Sequence, residues 1–341
     1  MKLYSNEIVF RGHPDKVCDQ ISDALLDECF RQDKNSRCGI EVMGGKGKIF
    51  VTGEVTSKAK LDVESTVKRV LRDVGYSDKY EVIDNLGRQS VDIALGTNDE
   101  VAGAGDNGMM FGYACKDTKE LLPTAMVILQ RLSKEYDKLR KEDSRFLADG
   151  KAQITGVYND ENKLLKIKTF TVCYQNTEEE RDKTDKIIKD ICEKISKDYA
   201  VEIEEFLINP TGRFCIGGFE GDAGLTGRKI VVDSYQSFAN VGGGAFSGKD
   251  PTKVDRSGAY KARELAKRIV SSDDKYKWCL IQLSYAIGID EPLAIDIKTN
   301  LGDLEADKAL YEECTPKNII RDLNLKNICY EDKAKFWHFD K

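Results

Sequence analysis

Eleven of the 28 glycines fall between Gly212 and Gly258, and among them stand Arg213, Arg228, Lys229, Lys249, Lys253 and Arg256. Glycine lets backbone N–H groups approach a ligand and curl into anion-binding concavities. Fixed cations interleaved with such turns suit a polyphosphate. Carboxylates are dispersed at hairpin and loop positions: Glu41, Glu54, Asp106, Asp149, Asp222 and Asp255. Together the two sets suit a metal–polyphosphate substrate, with cations on phosphate oxygens and carboxylates holding a divalent metal or meeting an ammonium group. The plainer reading is a set of tight turns with solvated basic residues, each carboxylate lying on the surface.

Three short motifs narrow the chemistry by failing. Gly243–Lys249 nearly matches the phosphate loop, but Asp250 replaces the Ser/Thr hydroxyl and no buried strand leads in. Gly103–Gly108 fits the dinucleotide pattern GxGxxG, yet TNDEVA precedes it instead of a strand. His13-Pro14-Asp15 occurs in J-domain cochaperones, but twelve preceding residues cannot supply the basic helix that module needs. After Pro14 the chain reads as helix, with Asp15, Asp19, Asp23 and Asp27 in one stripe. Like charges at that spacing repel by a few tenths of a kcal/mol per pair, roughly, so Asp19, Asp23 and Asp27 are expected on a solvated face. Asp15, at the helix start beside His13 and Lys16, is placed to hold a metal.

A hairpin followed by a helix recurs three times. Ile40–Met43 and Ile49–Val55 flank Gly44–Gly47, and a helix over Leu61–Val74 follows, with Val63, Val67, Val70, Leu71 and Val74 on one face and Gly75 as its stop. Ala152–Tyr158 and Leu164–Tyr174 flank the turn Asn159–Asn162, and a helix striped by Ile187, Ile188, Ile191 and Ile195 comes next. Cys279–Ile287 and Leu293–Ile297 flank Gly288–Pro292, with a helical stretch near Leu304–Cys314. Further helices are predicted over Val17–Phe30, Leu121–Leu139 and Ala259–Val270, and a mobile loop over Asp92–Gly108. Three similar α/β units follow from the pattern.

The bulk properties exclude several classes. The 341 residues suit one large domain or two to three small ones, and 40% hydrophobic with 33% charged is a globular balance. A net charge of −6 does not steer the whole chain toward nucleic acid. No window approaches the roughly 20 apolar residues of a membrane span, and no secretory signal is visible at the start. The ten cysteines contain no CxxC pair, so they read as reduced thiols of a cytoplasmic protein. Two histidines, His13 and His338, do not make a zinc site.

Seven ordered segments carry a resemblance: GHPDKVCDQISDALLDE, GEVT, GRQSVDI, GAGDNGMMFGYA, INPTGRFCIGG, GDAGLTGRK and GGGAFSGKDPTKVDRSGAY. They closely resemble the S-adenosylmethionine synthetase family, and the resemblance runs in order from about Glu7 to Pro292. The resemblance implies an α/β (α+β) fold of three similar domains with pseudo-threefold symmetry. Residues 1–100, 101–221 and 222–341 are its expected N-terminal, central and C-terminal parts, interleaved in sequence. It implies two Mg²⁺ and one K⁺ per site, ATP and methionine as substrates, and a homodimer or dimer of dimers with active sites at the subunit interface.

The resemblance also implies roles by position. His13 would lie against the triphosphate; Asp15 and Asp255 would ligate Mg²⁺; Glu41 would serve K⁺. Glu54, Gln89, Asp106 and Lys253 would serve methionine. Asp149, Lys151, Arg213, Phe214, Arg228, Lys229, Ala245 and Lys249 would contact ATP, and Asp222 would serve adenosine or methionine. His13, Lys151, Arg228, Lys249 and Lys253 are the residues expected to act in catalysis, and Asp92–Gly108 is the gating loop. The chain also departs from the family: Arg11 replaces an acidic residue, Val91 a proline and Leu95 a glutamine. The C-terminal segment is reduced to Phe336-Trp337-His338-Phe339, where His338 reads as structural.

Overall fold

The computed structural model describes residues 1–88 and 103–339. The chain runs through three successive lines of elements. The first is β1 (Lys2–Val9), α1 (Pro14–Gln32), β2 (Arg37–Gly45), β3 (Lys48–Thr56), α2 (Val63–Val74) and β4 (Glu81–Gly87). The second is β5 (Gly108–Cys115), α3 (Thr124–Glu142), β6 (Phe146–Tyr158), β7 (Leu164–Asn176), α4 (Arg181–Lys197) and β8 (Ile203–Ile208). The third is β9 (Gly224–Leu225), α5 (Ile230–Asp233), α6 (Val254–Ser272), β10 (Trp278–Tyr285), β11 (Ala294–Thr299) and β12 (Gly302–Leu304), closed by α7 (Lys308–Glu313), α8 (Pro316–Asp322) and α9 (Tyr330–Phe336).

Each line therefore repeats strand, long helix, hairpin, and the long helices α1, α3 and α6 are all 19 residues. The strands assemble into three four-stranded sheets ordered β9-β2-β3-β4, β1-β6-β7-β8 and β5-β10-β11-β12. The leading strand of each line leaves it and pairs antiparallel with the first hairpin strand of another: β1 with β6, β5 with β10, β9 with β2. The exchange is cyclic, so no line closes its own sheet. In the first two lines the helix after the hairpin returns a parallel strand, β4 beside β3 and β8 beside β7. The third departs from this: Gly302, at φ +107°, turns the chain tightly, β12 pairs antiparallel with β11, and α7 follows.

Local chemistry sets these boundaries. Asp62 caps α2 by accepting the Ser65 N–H at 3.0 Å, and Gly75 ends it at φ +97°, donating its N–H to the Leu71 and Arg72 carbonyls. Gly112 lets β5 lie against α6, because a Cβ there would sit 2.0 Å from the Ala262 carbonyl carbon.

One apolar core joins the first and third lines, from Val17, Ile21 and Leu25 of α1 to Ala262 and Leu265 of α6; a second fills the β1-β6-β7-β8 sheet under α3 and α4. Since α1 is enclosed on nearly all sides, the expected solvated face of aspartates does not exist. Asp19 is 2% exposed and Asp23 is 0% exposed. Asp27 is half-buried and accepts the N–H groups of Tyr330 and Glu331 at 2.9 and 2.8 Å, fastening the start of α9. Repulsion along the stripe is overcome because every one of these carboxylates accepts backbone or cationic donors. Among the described residues no helix is long and apolar enough to cross a membrane.

Candidate active site

The start of α1 organises a first group of charges. His13 is the N-cap, with Nδ1 accepting the Asp15 N–H at 3.2 Å, and Pro14 opens the helix at fixed φ. That bond leaves the proton on Nε2. Burial, helped by Lys229, lowers the His13 pKa to about 4 against the opposing pull of Asp15, so the imidazole is neutral near pH 7. Asp15 is buried; it accepts the Leu225 N–H at 2.9 Å, meets Lys229 Nζ at 2.5 Å, and has Arg228 Nε at 3.5 Å. The β2–β9 pairing brings Arg228 and Lys229 here, because β9 ends three residues before Arg228.

The sheet β1-β6-β7-β8 supplies the flank of this group. Lys151 on β6 pairs with Glu7 on β1 at 2.6 Å and feels the His13 ring. Asp149 is buried and accepts the Gly218 N–H at 2.8 Å. Asp222 is exposed and accepts the N–H of Ala223 at 2.8 Å. Arg213 and Phe214 lie further along, at the end of β7: Arg213 is exposed and pairs with Glu178 at 3.1 Å, and the Phe214 carbonyl accepts the Asn176 N–H at 2.9 Å. Gln175 links this patch to Asp149, donating to the Cys215 carbonyl at 2.9 Å and accepting the Asp149 N–H at 3.2 Å.

Burial raises the Asp149 carboxyl from 3.8 to about 6 despite the Gly218 bond. Its folded pKa exceeds its unfolded one, so the stability it contributes is full below about pH 4 and is lost as pH rises through 6. Asp149→Asn keeps an acceptor for Gly218 and removes this titration. Melting curves should show the variant gaining on the wild type between pH 4 and 7, and holding level above. A difference that does not change with pH contradicts this assignment.

The second group gathers where the glycine-rich loop meets α6. Lys249 forms an ion pair with Asp255, in the first turn of α6. Glu41 on β2 is half-buried; burial raises its pKa and Lys249 opposes the rise. Lys253 lies between Asp250 at 3.1 Å and Glu54 of β3 at 3.9 Å. Asp106 is exposed, accepting the Asn107 N–H at 2.7 Å, and its neighbour Gly105 packs on the Thr252–Lys253 backbone. Gln89, with Val91, Leu95 and most of the segment Asp92–Gly108, lies outside the described residues.

Ala245 joins the two groups. A Cβ on Gly227 would lie 2.5 Å from the Ala245 Cβ, so the loop before Arg228 and the loop before Lys249 touch. Each group otherwise makes its ion pairs within itself. Neither is a preformed metal cage: no cluster of three or more His, Cys, Asp or Glu groups is present among the described residues. Asp15 and Asp255 are instead single carboxylates, each held by a lysine.

Several residues take parts that sequence reasoning did not assign. Arg256 of the glycine-rich stretch is fully buried and bound bidentately to Asp23 at 2.6 and 2.7 Å, which removes it from any phosphate. Arg11 turns away from the Asp15 carboxylate. It donates to Gln20 at 2.8 Å and pairs with Asp73 of α2 and, at 3.7 Å, Asp137 of α3, tying the loop before His13 to two helices. Tyr76 donates to the Gly12 carbonyl at 2.5 Å, fixing that loop from the other side. His338 is buried beside Ser247 at 3.4 Å and Asp233 at 3.7 Å, under the glycine-rich loop. These long-range partners leave no local pattern; the signal available was the oddity of an arginine before a cap and of aspartates inside an apolar helix.

Comparison with known proteins gives three family matches along the chain. The S-adenosylmethionine synthetase N-terminal domain matches residues 1–96, the central domain 101–214, and the C-terminal domain 216–341. A protein of Clostridium tetani (strain Massachusetts / E88) named S-adenosylmethionine synthase is 42% identical, covering 100% of this chain and 94% of the relative. One of the same name from Prochlorococcus marinus (strain MIT 9211) is 40% identical, over 99% and 94%. The first alignment runs over 376 positions against the 341 residues here, so the relative carries segments this chain lacks.

Proposed function

The chain belongs to the S-adenosylmethionine synthetase family, and from that premise we propose that its two charged groups are the halves of one ATP–methionine site. The activity is a transfer: S-adenosylmethionine synthase joins methionine to the adenosyl group of ATP. Methionine sulfur is a good neutral nucleophile, so its attack on C5′ requires no general base. The sulfur gains the C5′ bond as the C5′–oxygen bond breaks, and the triphosphate leaves with the electron pair. The barrier lies in aligning sulfur with C5′ and in stabilising the departing charge.

The residues fit those two demands. Lys229, Arg228 and Lys249 meet phosphate oxygens, and neutral His13 donates from Nε2. Lys151, Asp149, Asp222, Arg213, Phe214 and Ala245 line the nucleotide. Glu54, Asp106, Lys253 and Gln89 receive methionine, a carboxylate for its ammonium and a lysine for its carboxylate. The same cations then serve hydrolysis of the bound triphosphate to pyrophosphate and phosphate.

The family works with metal ions; we assign two Mg²⁺ and one K⁺. Mg²⁺ is usually held by one or two carboxylates plus substrate phosphates, which is the donor set that Asp15 and Asp255 offer. Glu41, half-buried on β2, is the K⁺ carboxylate. When bound, the ions would offset charge on the phosphates.

The observation that carries the reading is that each group sets one carboxylate beside one lysine, Asp15 with Lys229 and Asp255 with Lys249, so that each offers half of a metal–polyphosphate donor set. Two copies of the chain complete the site: group one of one subunit faces group two of its partner. Exposed Met43, Phe50 and Leu225 cluster on the outer face of the β9-β2-β3-β4 sheet and suit that contact. Ten unpaired cysteines favour the cytoplasm; neither nucleic acid nor membrane is a partner.

Purified protein with ATP, methionine, Mg²⁺ and K⁺ should yield a sulfonium product by mass, with pyrophosphate and phosphate released together. ATP binding without turnover would identify a binding subunit instead. Turnover only with a different thioether would identify another transferase on this fold.

A further inference from the structure

Asp15, Asp19 and Asp23 stand one turn apart on α1, and each accepts a backbone N–H from a segment far away in sequence. Asp15 takes Leu225 at 2.9 Å, Asp19 takes Gly227 at 2.9 Å, and Asp23 takes Gly248 at 2.9 Å. The last two amides belong to the residues immediately before Arg228–Lys229 and before Lys249. Both glycines are left-handed, Gly227 at φ +77° and Gly248 at φ +80°, so the peptide direction at each is fixed by a turn that few other residues adopt.

The anchoring is redundant around each amide. Ser22 meets the Thr226 hydroxyl at 2.6 Å, and the Thr226 N–H reaches the Val42 carbonyl at 3.0 Å. The Gly248 carbonyl accepts the Ile40 N–H at 3.0 Å, and Arg256, locked to Asp23, donates to the Lys249 carbonyl at 3.2 Å. A rigid helix advances about 6 Å over four residues. Two loops bound to consecutive turns of it therefore cannot drift apart independently.

We propose that Asp19 and Asp23 are positioning residues, which through the Gly227 and Gly248 amides hold the Arg228–Lys229 cations and Lys249 in place, each on its own half-site. The proposal rests on the reading of those cations as the phosphate ligands. Neither carboxylate touches substrate; each acts by holding the peptide from which a cation projects. A misplaced cation weakens polyphosphate binding and leaves the methionine side, which hangs on Glu54 and Lys253, as it was.

The test compares Asp19→Ala and Asp19→Asn with wild type, reading the ATP KM, the methionine KM and the affinity for inorganic tripolyphosphate. The alanine variant should weaken ATP and tripolyphosphate roughly tenfold, the scale of losing one buried hydrogen bond, with the methionine KM within about twofold. The asparagine variant, whose amide oxygen still accepts the Gly227 N–H, should recover most of the loss. Because an alanine at a buried site can impair folding, the double change Asp23→Leu with Arg256→Met is measured alongside. A buried ion pair replaced by an apolar pair usually keeps its stability, and here too ATP and tripolyphosphate should weaken while methionine does not. Wild-type ATP and tripolyphosphate constants in the variants that fold, an equal shift of ATP and methionine, or an asparagine variant no better than alanine would each overturn the proposal. Failure of the synthase reading itself would show separately, as a wild-type protein that makes no sulfonium product.

Discussion

Lys249→Ala is expected to lower turnover at least about 100-fold, and Asp255→Ala by a similar factor, the size of electrostatic contributions at a charged transition state. Lys249 lies at the end of a loop whose backbone is held on both faces, so its ammonium group is fixed before substrate arrives. Its partner in the chain is Asp255, which on our assignment holds a metal, leaving the lysine to the departing triphosphate. The two side chains are only 19% and 11% exposed, so removing one partner also lowers stability. The melting midpoint should fall, and initial rates should collapse even at temperatures where the variants remain folded. Unchanged kinetics in both variants would remove this loop from the active site.

Arg256→Ala should produce a large loss of stability. Removing the guanidinium deletes both bonds to Asp23, the bond to the Lys249 carbonyl, and the stacking of the cation 4.1 Å from the centre of the Tyr330 ring. It leaves the Asp23 carboxylate fully buried without its cation. Breaking such a pair from one side costs about 3–5 kcal/mol. Denaturant unfolding should show the midpoint falling with the slope unchanged. A midpoint equal to that of the wild type would mean that water or a neighbouring group already neutralises Asp23. Asp23→Leu with Arg256→Met should be far less costly, since no charge is stranded.

Local physics made much of the architecture legible. The valine stripe and Gly75 placed α2, the glycine and asparagine turns placed two hairpins, and the three long helices fell where apolar periodicity put them. The cyclic exchange of β1, β5 and β9 was not legible, because a leading strand carries no mark of which hairpin it joins, and β9 is only two residues long. The candidate site divides similarly. Glycines among cations pointed to a polyphosphate, and motif resemblance attached roles to named positions. The burial of Asp19 and Asp23 was misread because spacing by four marks a stripe without saying what faces it. Arg11 looked like a disturbance beside the cap; its partners Asp73 and Asp137 come from two other helices, and only the fold brings them within reach.

Subunit mixing tests the shared cage most directly. Lys229→Ala disables the first group and Lys249→Ala the second, and each variant alone should be nearly inactive. After dissociation and reassociation at equal amounts, half of the dimers are mixed. With the site shared across a twofold interface, each mixed dimer contains one intact site, so activity should return to about a quarter of wild type. Activity that stays at the level of the separate variants, with mixed dimers shown to be present, would contradict the account by placing both lysines in a site built from a single chain.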